Sequence, residues 1–138
     1  MFPFNVRVYG ILINDKNEIL LSDESYGNMS FTKFPGGGLE FGEGTIDGLK
    51  REFMEEMGAA IVVVDHFYTT DFFQSSAFNP QHQVISIYYR VKFVDPNFSP
   101  NLKSLRWKLL SKLNHSDVSL PIDKKVVQLI NERITSPT

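Results

Sequence analysis

The sequence "FPGGGLEFGEGTIDGLKREFMEEMGAA", residues 34–60, decides the expected fold, because a glycine-rich loop runs directly into a helical pattern. The spacing of apolar residues predicts a helix from about Thr45 to Met57. At about 100° per residue, four apolar side chains form the stripe expected to face the core: Ile46, Leu49, Phe53 and Met57. Three glutamates share a neighbouring arc of the same helix: Glu52, Glu55 and Glu56.

Like charges at these spacings cost about 0.2 to 0.5 kcal/mol per pair, so the arc needs an explanation. It is either a solvated acidic face or a cation site. Gly48 favours the second reading, because glycine inside a helix costs about 1 kcal/mol and indicates a closely packed backbone, here the glycine loop. Clustered carboxylates with backbone carbonyls suit Mg²⁺ or Mn²⁺. The chemistry expected is metal-assisted hydrolysis of a phosphate-type substrate.

Composition limits the remaining alternatives. The chain has 138 residues, enough for one domain with its own core, here residues 1–138. A net charge of -2 argues against a nucleic-acid polymer as partner, and no apolar run is long enough for a membrane span. The absence of cysteine removes disulfides and thiolate chemistry, and the N-terminus does not resemble a signal peptide. A cytoplasmic location is therefore expected.

Strand patterns surround the predicted helix. We expect a β-hairpin in which Val6–Ile13 pairs with residues 18–22 across a turn at Asn14–Asn17. Further strands are expected before Pro35 and within residues 61–73, 84–94 and 105–110, and a second helix within residues 120–134. These elements predict an α+β domain with two helices.

Residues 37–59 resemble the Nudix box, G-x5-E-x7-R-E-U-x-E-E-x-G-U, where U is a bulky apolar residue. Eight positions match at the required spacing, and only Ala59 departs, at the last U. The matching residues are Gly37, Glu43, Arg51, Glu52, Phe53, Glu55, Glu56 and Gly58. The resemblance implies the Nudix fold, a mixed β-sheet sandwiched between α-helices, and a pyrophosphohydrolase that cleaves a nucleoside diphosphate derivative with Mg²⁺ or Mn²⁺.

The resemblance also implies roles for individual residues. Glu52 and Glu56 are the principal metal ligands, assisted by Glu55 and the Gly36 carbonyl. Glu52 is the general base, although family members differ in the residue that takes the proton. Arg51 orients the glutamates, Glu43 ties the loop to the helix, and Gly37 and Gly58 are structural.

The substrate is less well defined by the sequence. Asp23 and Glu24 stand where several family members have a phosphate-binding arginine. The C-terminal sequence resembles the nucleoside triphosphate pyrophosphohydrolase group, which implies that Asp123 reads the base. Phe78 is either a base-stacking residue or a core or homodimer contact. We expect a small-molecule nucleotide as partner, and the alternative function is a non-catalytic nucleotide sensor.

Overall fold

Seven β-strands and two α-helices form the fold in the computed structural model of the protein, which describes residues 3–135. The strands are β1 (Phe4–Leu12), β2 (Glu18–Tyr26), β3 (Met29–Lys33), β4 (Gly36–Gly38), β5 (Ile61–Thr69), β6 (Gln83–Phe93) and β7 (Leu105–Leu109). They make a four-stranded mixed sheet, in the order β4-β1-β6-β5, and a three-stranded antiparallel sheet, in the order β3-β2-β7. The expected mixed sheet is present, and β2, β3 and β7 form a second sheet beside it.

The two helices agree with the sequence pattern in position. Helix α1 spans Thr45–Met57, the range predicted, and α2 spans Pro121–Ile130. Pro121 begins α2, where the fixed φ of proline suits the first turn. The predicted second helix continued to residue 134, but the α-helix ends at Ile130 and a π-helical turn follows over Asn131–Thr135.

Alternation along β1 places the helices on opposite faces of the four-stranded sheet. Tyr9 and Ile11 belong to the buried cluster that includes α2, whereas Val8 belongs to the cluster that includes Leu49 and Phe53 of α1. Successive side chains of a strand point to opposite faces, so the sheet lies between the helices. The predicted α+β fold with a sheet between helices is confirmed.

The predicted hairpin is wrong. The turn itself forms, with the Asn14 side-chain oxygen accepting the Glu18 N–H at 2.9 Å and Asn17 at a φ of 58°. The strands on either side do not form a ladder, and one isolated bridge joins Ile13 to Ile19. The reason is that β4 and β6 occupy both edges of β1, which leaves no edge for β2.

No helix within residues 3–135 is long and apolar enough to cross a membrane.

Candidate active site

Two glycines of β4 pack where no side chain fits. Gly36 has a φ of 144°, and a Cβ there would lie 2.1 Å from the Val8 carbonyl oxygen. A Cβ on Gly37 would lie 2.7 Å from the carboxyl carbon and from both oxygens of Glu52. Glycine is therefore required at the first position by the backbone of β1 and at the second by a predicted metal ligand.

The core-facing side of α1 is narrower than the sequence suggested. Leu49 and Phe53 are fully buried, and Met57 is partly buried against the same cluster. Ile46 was expected on this stripe but is 41% exposed, so that expectation is wrong. Ile46 lies in the first turn of α1, and the helix packs on the core through the later turns, at Leu49 and Phe53.

Gly58 ends α1. It adopts the left-handed conformation with a φ of 67°, and its N–H donates to the Met54 carbonyl oxygen at 3.0 Å. Glycine reaches this conformation without the steric cost borne by other residues. The structural position implied for Gly58 by the motif is thus a helix C-terminal cap.

Arg51 connects the glycine-rich loop to the glutamates. Its Nε and Nη2 donate to the two carboxylate oxygens of Glu43, at 2.9 and 2.6 Å. Nη2 also donates to the Gly38 carbonyl oxygen at 3.1 Å. Nη1 donates to Glu52 Oε1 and Glu55 Oε2, each at 3.1 Å. One guanidinium therefore fixes the loop and two of the three glutamates together.

The Arg51 hydrogen bonds also set the ionisation of Glu43. They lower the pKa of the Glu43 carboxyl to about 2, with the Glu40 N–H as a further donor to the same side chain. The reciprocal effect of Glu43 raises the pKa of Arg51. The bidentate pair consequently stays charged at neutral pH.

Gly48 packs against the loop, as expected, but against its side chains rather than its backbone. A Cβ on Gly48 would lie 2.7 Å from Leu39 Cδ1 and 2.9 Å from Glu43 Oε1. The missing side chain lets the loop lie directly on the helix. The same contact positions the Glu43 carboxylate for Arg51.

Glu56 is held by a residue that the sequence did not indicate. Ser22 on β2 is fully buried and donates its hydroxyl to Glu56 Oε1 at 2.9 Å. The three glutamates thus have different hydrogen-bond donors. Glu52 and Glu55 accept from the charged Arg51 guanidinium, whereas Glu56 accepts from the neutral Ser22 hydroxyl.

Lys33, at the end of β3, binds the Gly36 carbonyl oxygen, which was predicted to be a metal ligand. It is 3% exposed, donates to the Gly36 carbonyl oxygen at 2.9 Å, and pairs with Glu24 at 2.8 Å. Burial lowers the pKa of Lys33, and the carboxylate of Glu56 opposes that effect. Because a positive charge already lies on this oxygen, a second cation there would meet electrostatic repulsion.

The glutamates offer carboxylate oxygens, which are the ligand atoms that a hard cation prefers, but they do not form a closed ligand cluster. Among residues 3–135 no group of three or more His, Cys, Asp or Glu side chains is arranged to hold a metal ion. Within that part of the chain, Glu52 Oε2, Glu55 Oε1 and Glu56 Oε2 accept no hydrogen bond. Three such carboxylate oxygens on one helix face match the chemistry of Mg²⁺ or Mn²⁺.

A cavity of about 340 Å³ is lined by residues of β1 that pair with β4 and by both predicted substrate-binding residues, Phe78 and Asp123. Asp123 is 1% exposed; its Oδ1 accepts a hydrogen bond from the Tyr88 hydroxyl, and its Oδ2 is buried without a partner among the described residues. Burial raises the pKa of Asp123 to about 6, against the Tyr88 hydrogen bond. A buried carboxyl oxygen with no partner is available to a ligand that enters the cavity.

Aromatic rings form one wall of this cavity. The ring centroid of Phe78 lies 5.2 Å from that of Tyr26 and 5.5 Å from that of Phe31. The Phe78 side chain is 44% exposed, so it is not a core residue of the monomer. This surface suits the face of a planar base, and both the stacking role and the homodimer contact of Phe78 stay predictions.

Several residues of the site lay outside the sequence prediction. Ser22 and Lys33 are register partners across β2 and β3, and Arg7 and Tyr88 lie on the paired strands β1 and β6. Each occupies an ordinary strand pattern in the sequence. The one feature of the sequence that could have identified them is a polar residue within a largely apolar strand. Such a residue indicates an unusual position but does not indicate its function.

The comparisons with known proteins agree with this geometry. The model of the NUDIX domain family matches residues 3–129. The E. coli ORF135 protein is similar in structure, with a TM-score of 0.74 and 19% identity over 99% of this chain and 96% of that one. MutT protein from Methanosarcina mazei Go1 has a TM-score of 0.72 and 24% identity, covering 96% of each chain. The mismatch repair protein MutT from methicillin-resistant Staphylococcus aureus 252 has a TM-score of 0.70 and 28% identity, covering 96% of this chain and 99% of that one.

Proposed function

The chain belongs to the NUDIX domain family, whose members hydrolyse phosphoric anhydride bonds, and we propose that it cleaves the diphosphate linkage of a nucleoside diphosphate derivative. A modified nucleoside triphosphate is the substrate class that we favour. The observation that carries the proposal is the position of β4. Glu52 packs against Gly37 on one side of this strand, and the β1 partners of its two other residues, Tyr9 and Arg7, line the cavity.

The two regions have complementary chemistry. The cavity offers an aromatic wall at Phe78 and a buried carboxyl at Asp123, which suit a base. The helix offers carboxylates, which suit a divalent cation and the phosphates that accompany it. A nucleotide with its base in the cavity would direct its diphosphate toward Glu52.

In this proposal Glu52, Glu55 and Glu56 would hold Mg²⁺ or Mn²⁺, and the ion would supply Lewis acidity toward water and the phosphate oxygens. Glu52 takes the proton from the attacking water as general base. The water oxygen bonds to one phosphorus, and the bridging P–O bond breaks. The products are a nucleoside monophosphate and phosphate, pyrophosphate or a phosphorylated remainder. Arg51 keeps Glu52 and Glu55 in place during the reaction.

The test is a screen of the purified protein against nucleotides, modified nucleoside triphosphates and nucleotide sugars with Mg²⁺ or Mn²⁺. Phosphate release is measured with and without an added phosphatase, which reveals products that retain a phosphate ester. Glu52→Gln is expected to lose metal-dependent turnover while its thermal unfolding is unchanged. Glu132→Gln is the matched control, since Glu132 is an exposed glutamate beyond α2.

Two outcomes would contradict the proposal. Full activity in Glu52→Gln would remove the assigned base, and turnover of no panel member, with clear binding of one, would favour the sensor function.

A further inference from the structure

Arg7 on β1 lies on the cavity face of the four-stranded sheet, beside the edge strand β4. Its side chain lines the cavity, and its register partner across the ladder is Gly38 on β4. Arg7 Nη1 would lie 3.6 Å from a Cβ at Gly38, and the adjacent Gly37 packs against Glu52. Because β4 is the edge strand, a nucleotide that extended from the cavity around this edge toward Glu52 would pass the guanidinium.

The guanidinium is held in place by an aromatic neighbour. Its Nε donates to the Tyr9 hydroxyl at 2.5 Å, and its central carbon lies 5.6 Å from the centroid of the Tyr9 ring. This contact uses one of five N–H groups, so both terminal nitrogens remain available. A fixed, planar donor of this kind suits the paired oxygens of a phosphate group.

The positive charge of Arg7 has no carboxylate partner among the described residues, in contrast to most arginines of the chain. Arg51, Arg90 and Arg106 all form ion pairs with carboxylates. Arg133 resembles Arg7 in lying over an aromatic ring, that of Phe67, but it is outside the cavity.

The other cation of the cavity is already engaged. Lys33 pairs with Glu24 and donates to the Gly36 carbonyl oxygen, so its charge is offset within the protein. Asp23, the neighbour of Glu24, pairs with Arg106. The end of β2, where several family members have an arginine, thus supplies no cation to the substrate.

We propose that Arg7 binds the diphosphate group of the substrate and supplies the phosphate contact that the end of β2 lacks. The inference rests on the proposed function, because it takes the ligand to be a nucleotide. Arg7 acts here as a substrate-binding residue that selects ligands with two or more phosphates over nucleosides.

The experiment measures binding by calorimetry in EDTA, so that hydrolysis does not interfere. The probes are the four common nucleosides and their 5′-mono-, di- and triphosphates. Arg7→Gln is expected to weaken di- and triphosphate binding by about 10- to 100-fold, the range for lost hydrogen bonds to a charged group, and to leave nucleoside binding unchanged. Arg7→Lys, which retains the charge without the planar fork, is expected to lie between the two.

The matched control is Arg133→Gln, which removes an equivalent arginine outside the cavity and is expected to bind as the wild type does. Thermal unfolding of each variant checks that the loss of the Tyr9 contact does not unfold β1, and Arg7→Lys carries the test if the glutamine variant is unstable. Equal loss of nucleosides and diphosphates, unchanged diphosphate binding in both Arg7 variants, or no nucleotide binding by the wild type would overturn the inference.

The two proposals fail separately. If the wild type hydrolyses a nucleotide and Arg7→Gln retains its KM, Arg7 is not the phosphate contact, but the hydrolase assignment stands. If phosphate-dependent binding is lost in Arg7→Gln and the wild type shows no turnover, the Arg7 inference stands and the hydrolase assignment fails.

Discussion

Gly37→Ala separates the placement of Glu52 from the stability of the fold. The added Cβ would lie 2.7 Å from the carboxyl carbon and both oxygens of Glu52, whereas ordinary contact begins at 3.4 Å. The carboxylate must therefore move by about 0.7 Å or more to relieve the contact. A displacement near 1 Å in a catalytic group costs up to about 100-fold in rate, so we expect kcat to fall by about 10- to 100-fold.

The same substitution should leave the fold intact. The atoms that meet the new methyl group belong to the free end of a flexible side chain, and no backbone atom is among them. The conformational entropy that alanine removes from the unfolded chain offsets part of the strain, so the free energy of unfolding should change by less than about 1 kcal/mol. Urea unfolding and steady-state hydrolysis of the best panel substrate measure the two quantities independently.

Gly44→Ala is the control for this experiment, because a Cβ at Gly44 meets no atom within 4 Å. It is expected to retain kcat, and a small loss of stability would report the replacement of glycine at the N-cap of α1. Wild-type kcat in Gly37→Ala would refute the claim that Gly37 is required by the position of Glu52. Unfolding of Gly37→Ala would show instead that the contact supports the fold.

Three further predictions follow from the loop and the cavity. Gly48→Ala would gain about 1 kcal/mol from helix propensity alone, but its methyl group would lie 2.7 Å from Leu39 Cδ1, so urea unfolding should show no net gain. The lowered pKa of Glu43 stabilises the fold at pH values above 4.5, the usual pKa of a glutamate, and this contribution is lost as pH falls toward 2. Glu43→Gln weakens the bond to Arg51, so a pH series of unfolding curves should show a smaller acid-induced loss of stability for this variant than for the wild type. The raised pKa of Asp123 has the opposite sign: its contribution to stability is fully present below 3.8 and is lost as pH rises through about 6, and Asp123→Asn should remove that loss from the same series.

The sequence predicted the elements whose hydrogen bonds are local. Helix α1 was placed within its observed bounds because its apolar spacing, the following Gly58 and the preceding loop all act within a few residues. The pairing of strands is not local. The hairpin failed because β1 bonds to β4 and β6. Nothing between Val6 and Ser22 indicates that β6, whose residues pair with β1 across 79 positions, takes that edge.

The same distinction applies to the site. The motif contains Glu43, Arg51 and the glutamates within one loop and one helix, so their proximity follows from helical geometry. Ser22 and Lys33 reach the site only because β2 and β3 fold back beside it. A single sequence carries no record of such contacts beyond a polar residue in an apolar strand.

The three glutamates are not electrostatically equivalent, although the sequence treats them alike. Glu52 and Glu55 share the positive charge of Arg51, which lowers the cost of placing like charges three residues apart. Glu56 accepts only the neutral Ser22 hydroxyl among the described residues, with the charge of Lys33 acting from the next strand. Since an unshared carboxylate gains most from an added cation, Glu56 should contribute more to metal affinity than Glu55, whose attraction for a cation Arg51 already opposes. Binding of Mn²⁺ to Glu56→Gln and Glu55→Gln compares the two directly, and equal losses of affinity would show that Arg51 does not distinguish them.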